Sequence, residues 1–199
     1  MSLPAHNSHP AVTAPDVSAQ EFSSEERELL LRLAHDSITS ALEGRAISCG
    51  APTSHLAEPR GAFCSLYLRS ELRGCVGYVI PASSLYRAVA EIARAAAFED
   101  NRFPPVTTNE ASALEIELSI LSPPQPIRAE AIEVGRHGLL ISQHGHRGLL
   151  LPQVAAEHKW DSITFLEQTC RKAGLTQDAW KKDATIQAFT AEIFGDKTS

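Results

Sequence analysis

A strict alternation of apolar and polar residues between Leu114 and Ile120 constrains the fold of this chain most. Every second residue of the segment is leucine or isoleucine, and Glu115, Glu117 and Ser119 lie between them. A period of two is that of a β-strand with one buried and one polar face, a pattern typical of antiparallel sheets. The segment therefore predicts a half-buried strand in such a sheet.

Further strands and helices are predicted on both sides of this segment. Apolar runs of high β propensity, bounded by turn residues, predict strands at residues 61–69, 72–80, 138–142, 147–151 and 186–194. Helix-start residues followed by apolar residues at helical spacing predict helices that begin at Ser23, at Ser83 or Ser84, at Pro152 and at Asp161. Hairpins interrupted by helices indicate an α+β fold, with a mainly antiparallel sheet and helices packed on it.

Prolines suggest how the chain is divided. Residues 1–20 contain three prolines and no hydrophobic period, which predicts a disordered tail before a domain over residues 22–195. The prolines of residues 123–126 predict a rigid crossing between two intimately packed subdomains. A chain of 199 residues is long enough to give such a domain a real core.

Charge and cysteine usage exclude several classes of protein. A formal net charge of −6 argues against nucleic-acid binding, which needs clustered basic residues. No apolar run is long enough to span a bilayer, and the start of the chain lacks the pattern of a secretory leader. Four scattered cysteines without CxxC pairs predict free thiols in a reducing, cytoplasmic location.

The best candidate site is the sequence LRGCVG at residues 72–77. A period of two places Leu72, Val76 and Tyr78 on one face of a strand, with Arg73 and Cys75 on the other. A guanidinium beside a cysteine favours the nucleophilic thiolate when the pair is partly exposed. A buried, inert cysteine in a core strand is the commoner situation, so this alternative stays open.

Neighbouring residues add to this candidate site. Gly74 and Gly77 weaken a strand and indicate a bulge or the close approach of a ligand or another backbone. Glu117 or Glu115 is a candidate acid or base, although these carboxylates could also hold Arg73 or Arg102 or form a solvated face. No histidine is placed beside the cysteine by the sequence.

Histidines and glycines elsewhere do not form recognisable cofactor motifs. The histidines His137, His144, His146 and His158 lack the spacing of a zinc site, and no phosphate-binding or dinucleotide-binding glycine loop is present. The sequence therefore predicts neither a metal site nor a cofactor.

Six motifs, taken in order, resemble those of one known family. They are LRGCVGYVIP at residues 72–81, AAFEDNRFPPV at 96–106, LEIELSILSPP at 114–124, GRHGLLI at 135–141, RGLLLPQVA at 147–155 and WDSITFLEQTCRKAGL at 160–175. The family is that of AMMECR domains, and its prokaryotic members are called AmmeMemoRadiSam system protein A. The similarity covers residues 22–195.

The resemblance implies an α+β fold in two subdomains but no established reaction. The family's signature positions correspond here to Arg73, Gly74, Cys75, Gly77, Asp100, Arg102 and Phe103. The name of the prokaryotic members implies two partners, a Memo-type protein, which resembles nonheme-iron dioxygenases, and a radical SAM protein.

Two functions are consistent with this sequence. The first is an accessory or binding component that docks onto such partners through the RGC hairpin and the RFPPV loop. The alternative is a cysteine-dependent enzyme in which Cys75 is the nucleophile, Arg73 binds an anionic small molecule and Glu117 assists as acid or base.

Overall fold

The computed structural model describes residues 21–196, so the predicted tail at residues 1–20 lies outside the described residues. The α-helices are α1 (Ser24–Leu42), α2 (Leu85–Phe98), α3 (Thr108–Ala111), α4 (Pro152–Glu157) and α5 (Ser162–Lys172). The strands are β1 (Ala62–Leu68), β2 (Glu71–Tyr78), β3 (Leu114–Leu121), β4 (Gln125–Pro126), β5 (Gly138–Gln143), β6 (His146–Leu150), β7 (Thr185–Phe189) and β8 (Ala191–Gly195). These strands form two antiparallel sheets with helices packed on them, which confirms the α+β fold. Within this part of the chain, no helix is both long and apolar enough to cross a membrane.

The first sheet has the strand order β2-β1-β3-β8, and α1 and α2 pack on one of its faces. The four apolar residues that the alternation in β3 predicts to be buried are at most 5% exposed. The predicted start of α1 is also confirmed, because the Ser23 hydroxyl accepts a hydrogen bond from the Glu26 backbone N–H and the Glu26 carboxylate accepts one from Ser23. Because α1 and α2 cover this face, the polar residues of β1, β2 and β3 lie on the opposite face.

The second sheet has the strand order β4-β7-β5-β6 and a core of its own. Phe165 and Leu166 of α5 pack in that core with Leu139 and Ile141 of β5. The predicted helix starts are confirmed here as well. Pro152 is the first residue of α4, and the side chain of Asp161 accepts a hydrogen bond from the backbone N–H of Thr164 at the start of α5.

The two sheets are joined by a continuous two-stranded ribbon. One chain segment runs from β3 into β4, and its antiparallel partner runs from β7 into β8. At the crossing, the backbone N–H of Ser122 donates to the carbonyl of Thr190, and the N–H of Thr190 donates to the hydroxyl of Ser122. The prediction of a single strand over residues 186–194 is therefore wrong, because Thr190 separates two strands that belong to different sheets.

Candidate functional site

Strand β2, which carries the LRGCVG motif, is an edge strand of the first sheet with a bulge at Arg73. Gly74 pairs with Leu66 of β1, but the next pair along is Leu72 with Tyr67, so Arg73 is an extra residue. The bulge moves Leu72 to the face of Tyr67, where 41% of the residue is exposed. The prediction that Leu72 shares a face with the two apolar residues further along β2 is therefore wrong.

The two glycines of the motif allow other parts of the chain to approach closely. A Cβ atom on Gly74 would lie 2.2 Å from the carbonyl oxygen of Ala96 in α2. A Cβ atom on Gly77 would lie 2.4 Å from the carbonyl oxygen of Ala62 and equally close to the ring of Phe63. The space beside both glycines is thus filled by the backbone and side chains of the same chain.

The outer edge of β2 is covered at Cys75 by two side chains from the loop that follows α2. The carboxylate of Asp100 accepts a hydrogen bond from the backbone N–H of Cys75 at 2.9 Å, and the guanidinium of Arg102 donates to the carbonyl of Cys75 at 3.1 Å. The guanidinium also forms an ion pair with Asp100 at 2.7 Å. These side chains occupy the positions that a neighbouring strand would otherwise take.

The electrostatics of this pair stabilise the charged forms of both groups. Hydrogen bonds from the Arg102 side chain, and then from the Cys75 backbone, hold the pKa of Asp100 well below its usual range. The hydrogen bond to Asp100 and the negative charge of that carboxylate raise the pKa of Arg102. Phe103 completes the loop, with its ring centroid 5.5 Å from the Arg102 guanidinium.

The bulged residue Arg73 holds the next part of the loop. Its guanidinium donates to the carbonyl of Pro104 at 2.7 Å and to that of Pro105 at 3.2 Å. It also binds both carboxylate oxygens of Glu110, at 3.0 and 3.2 Å. Only 12% of the Arg73 side chain is exposed, so this arrangement is fixed and largely desolvated.

The acidic partners of the two arginines differ from the carboxylates that the sequence suggested. Glu110 holds Arg73 and Asp100 holds Arg102, whereas Glu115 and Glu117 lie on the polar face of β3. Glu110 lies in the four-residue helix α3, which the apolar pattern does not predict. The spacing of Thr107 and Glu110, which form a capping box, was the one local signal for it.

Cys75 lies in a cross-strand row on the polar face of the sheet. Ser65 of β1 is directly opposite Cys75, and Glu117 of β3 is directly opposite Ser65. The Ser65 hydroxyl donates a hydrogen bond to the Cys75 sulfur at 3.3 Å. Two strand spacings, about 10 Å, separate Glu117 from the cysteine, so a proton would pass between them only through intervening groups.

A protein-family model named AMMECR1 matches residues 31–194. The chain belongs to the AMMECR1 family. A protein of Methanopyrus kandleri is 42% identical in an alignment 187 positions long that covers 88% of this chain and 90% of that protein. A protein of Methanocaldococcus jannaschii is 41% identical in an alignment 180 positions long that covers 85% of this chain and 90% of that protein.

A solved structure supports the same assignment for this AMMECR1 chain. The crystal structure of an uncharacterized protein from Pyrococcus horikoshii matches with a TM-score of 0.68 and 38% sequence identity, over 85% of this chain and 91% of that chain. The AMMECR1 match gives a family and a fold, and no reaction follows from it. Among residues 21–196 of this chain, no group of three or more histidine, cysteine or acidic side chains is arranged to hold a metal ion.

Acid should weaken this AMMECR1 domain through the Arg73–Glu110 pair. Hydrogen bonds from Arg73 and Thr107 lower the pKa of Glu110 from 4.5 to about 2. Because the folded pKa is depressed, the stabilisation is present above pH 4.5 and is lost as pH falls towards 2. We expect the free energy of unfolding, measured in urea, to fall less steeply across this range in Glu110→Gln than in the parent protein. Parallel curves for the two proteins would contradict the role given to this carboxylate.

Proposed function

We propose that this protein is a binding component that docks onto a protein partner through one preformed surface. This surface, here called the RGC surface, consists of residues 72–77 and residues 100–107. The observation that carries the proposal is that the charged side chains of this surface bind backbone groups of the same surface. Asp100 and Arg102 bind backbone groups of Cys75, and Arg73 binds backbone carbonyls of the loop, so they position this surface and are poorly placed to act as reactants.

A preformed surface favours binding because less conformational entropy is lost when the partner arrives. The hairpin and the loop are far apart in sequence, but three charged side chains fix them to each other. Leu72 adds an exposed apolar group at the end of the hairpin. Rigid polar groups around an exposed leucine are suited to a protein interface.

The family resemblance suggests the identity of the partner. We propose a Memo-type protein or a radical SAM protein, since the name given to prokaryotic members of the family joins the three. The purified proteins should associate in titration calorimetry and elute together in size-exclusion chromatography. Absence of association with either protein would remove the support for this choice of partner.

A paired substitution tests the surface itself. Leu72→Asp should weaken the association at least about thirtyfold, because a charge would be buried in the interface. Ile193→Asp is the matched control, since Ile193 is 57% exposed but lies on β8, at the opposite edge of the same sheet. Equal effects of the two substitutions would argue against the RGC surface as the docking site.

The hydrogen bond from Ser65 to Cys75 favours one second candidate, a cysteine-dependent enzyme. The Ser65 hydroxyl lies 3.3 Å from the sulfur of Cys75, which is only half-buried and therefore within reach of a substrate. In this candidate the sulfur lone pair forms a bond to an electrophilic carbon of the substrate, whose leaving group departs with the bonding electrons. The thiol proton is released to water beforehand. Arg73 would bind an anionic substrate group only after giving up its contacts with Glu110.

Alkylation by iodoacetamide distinguishes the two candidates. Cys64 and Cys170 are fully buried, and burial raises the pKa of both thiols, so we expect them to react about a hundredfold more slowly than the half-buried Cys49 and Cys75. If the protein is a binding component, Cys75 should react with iodoacetamide no faster than Cys49. An enzyme requires Cys75 to react faster than Cys49 near neutral pH, which mass spectrometry of the labelled peptides would reveal.

A further inference from the structure

The two edges of the first sheet differ in how they are covered. The outer edge of β2 is covered by the side chains of Asp100 and Arg102, which bind backbone groups of Cys75. At the other edge of the sheet, β8 pairs with β3 and has no second neighbouring strand among residues 21–196. Such an edge offers backbone N–H and C=O groups to another strand.

The pairing with β3 determines which backbone groups of β8 face outward. The N–H of Ser122 donates to the carbonyl of Thr190, and the N–H of Asp196 donates to the carbonyl of Ile116. In an antiparallel pair every second residue bonds to the neighbouring strand, so in this register the residues with odd numbers turn their N–H and C=O groups away from β3. These outward-facing residues are Ala191, Ile193 and Gly195.

This edge lacks the features that usually keep edge strands apart. Residues 191–195 contain no lysine, no proline and no bulge. Ile193, at the centre of the strand, is 57% exposed. The strand is therefore open to pairing in both its backbone and its central side chain.

The carboxylates beside this edge have partners within the chain. Glu192 forms an ion pair with Arg27 of α1 at 2.7 Å. Asp196 forms a hydrogen bond with His35 of the same helix at 2.8 Å. Repulsion between acidic groups is thus reduced when a second edge of the same kind approaches.

We propose that two copies of this chain associate through β8, in antiparallel pairing about a two-fold axis at Ile193. In this arrangement Ile193 lies opposite Ile193 of the second copy, and Ala191 lies opposite Gly195 of the second copy. Every outward-facing residue then meets another outward-facing residue, so each donates one hydrogen bond across the interface and accepts one. The two four-stranded sheets become one continuous sheet.

Charge complementarity identifies a second copy as the partner. The register that joins the outward-facing groups places Glu192 opposite Phe194 of the second copy, and Asp196 opposite Thr190 of the second copy. No carboxylate therefore lies directly opposite another, which is the arrangement that would destabilise the pair. The inference does not depend on docking at the RGC surface, because β2 lies at the opposite edge of the sheet.

Sedimentation velocity of the full chain over a range of concentrations tests the inference. The interface is short, so we expect a reversible equilibrium between monomer and dimer. Ile193→Pro should raise the dissociation constant about thirtyfold, because each copy loses one donor to the other. The fold should be retained, since the lost N–H points away from β3. Ile193→Asp should also weaken the dimer by placing two carboxylates opposite each other, whereas Leu72→Asp, on β2, should leave it unchanged.

Hydrogen exchange followed by NMR shows whether the backbone forms the interface. The N–H groups of Ala191, Ile193 and Gly195 should exchange more slowly as the concentration rises. Those of Glu192 and Phe194, which bond to β3 in either state, should not change. A chain that stays monomeric at millimolar concentration would overturn the proposal, whether another segment of the same chain protects these N–H groups or not. A dimer that both Ile193 substitutions leave intact, or that leaves the three N–H groups unprotected, would overturn it as well.

Discussion

Gly74→Ala should destabilise the protein by about 3 kcal/mol, the upper end of the range found when a packed core cannot accommodate added atoms. The new Cβ atom would lie 2.2 Å from the carbonyl oxygen of Ala96, which belongs to the backbone of α2. A flexible side chain could move aside at little cost, but a helix carbonyl can move only with its helix. Separation of α2 from β2 would expose apolar residues of the first core. Urea unfolding followed by circular dichroism measures the effect.

Gly50→Ala is the matched control for this substitution. A Cβ atom on Gly50 would meet nothing within 4 Å, so the same chemical change should alter stability by less than about 0.5 kcal/mol. The same comparison separates packing from ligand binding as the reason for glycine in the motif. If Gly74→Ala folded with the stability of the parent protein, the close contact with α2 would not be what requires glycine at this position.

Local patterns in the sequence are sufficient to predict most of the elements. The alternation in β3 and the helix-start residues Ser23 and Asp161 act within one strand or one helical turn, and the structure confirms each of them. Leu72 shows where such patterns fail. One extra residue at Arg73 reverses the face of every position before it, and a period of two contains no sign of that insertion.

The prediction of a single strand across the connection between the sheets fails for a related reason. Residues 186–194 continue to alternate through Thr190 because the ribbon itself is continuous, even though its two ends lie in different sheets. The polar contacts of the candidate site likewise cannot be predicted from a single sequence. Glu110 lies 37 positions from Arg73, and only the folded chain brings the two side chains together.

Replacement of Arg73 separates its structural role from an electrostatic one. Arg73→Ala should reduce the free energy of unfolding by about 2–3 kcal/mol, because it removes charge-assisted hydrogen bonds to Glu110 and to the carbonyls of Pro104 and Pro105. Arg73→Lys should restore less than half of this loss, since an ammonium group cannot reproduce the planar fork of the guanidinium. Arg87→Ala, which breaks an exposed ion pair on α2, should change stability by less than about 0.5 kcal/mol.

The rate of Cys75 alkylation in the same variants decides between binding and catalysis. If Arg73 fixes the loop to the hairpin, both replacements lower stability while Cys75 in the folded protein reacts at nearly the parent rate. If its charge activates the thiol, Arg73→Ala lowers that rate about tenfold near neutral pH, and Arg73→Lys retains much of it because the charge remains. The paired contacts of Arg73 with Glu110 favour the first outcome, since a guanidinium that is already neutralised by a carboxylate exerts little field on a neighbouring sulfur.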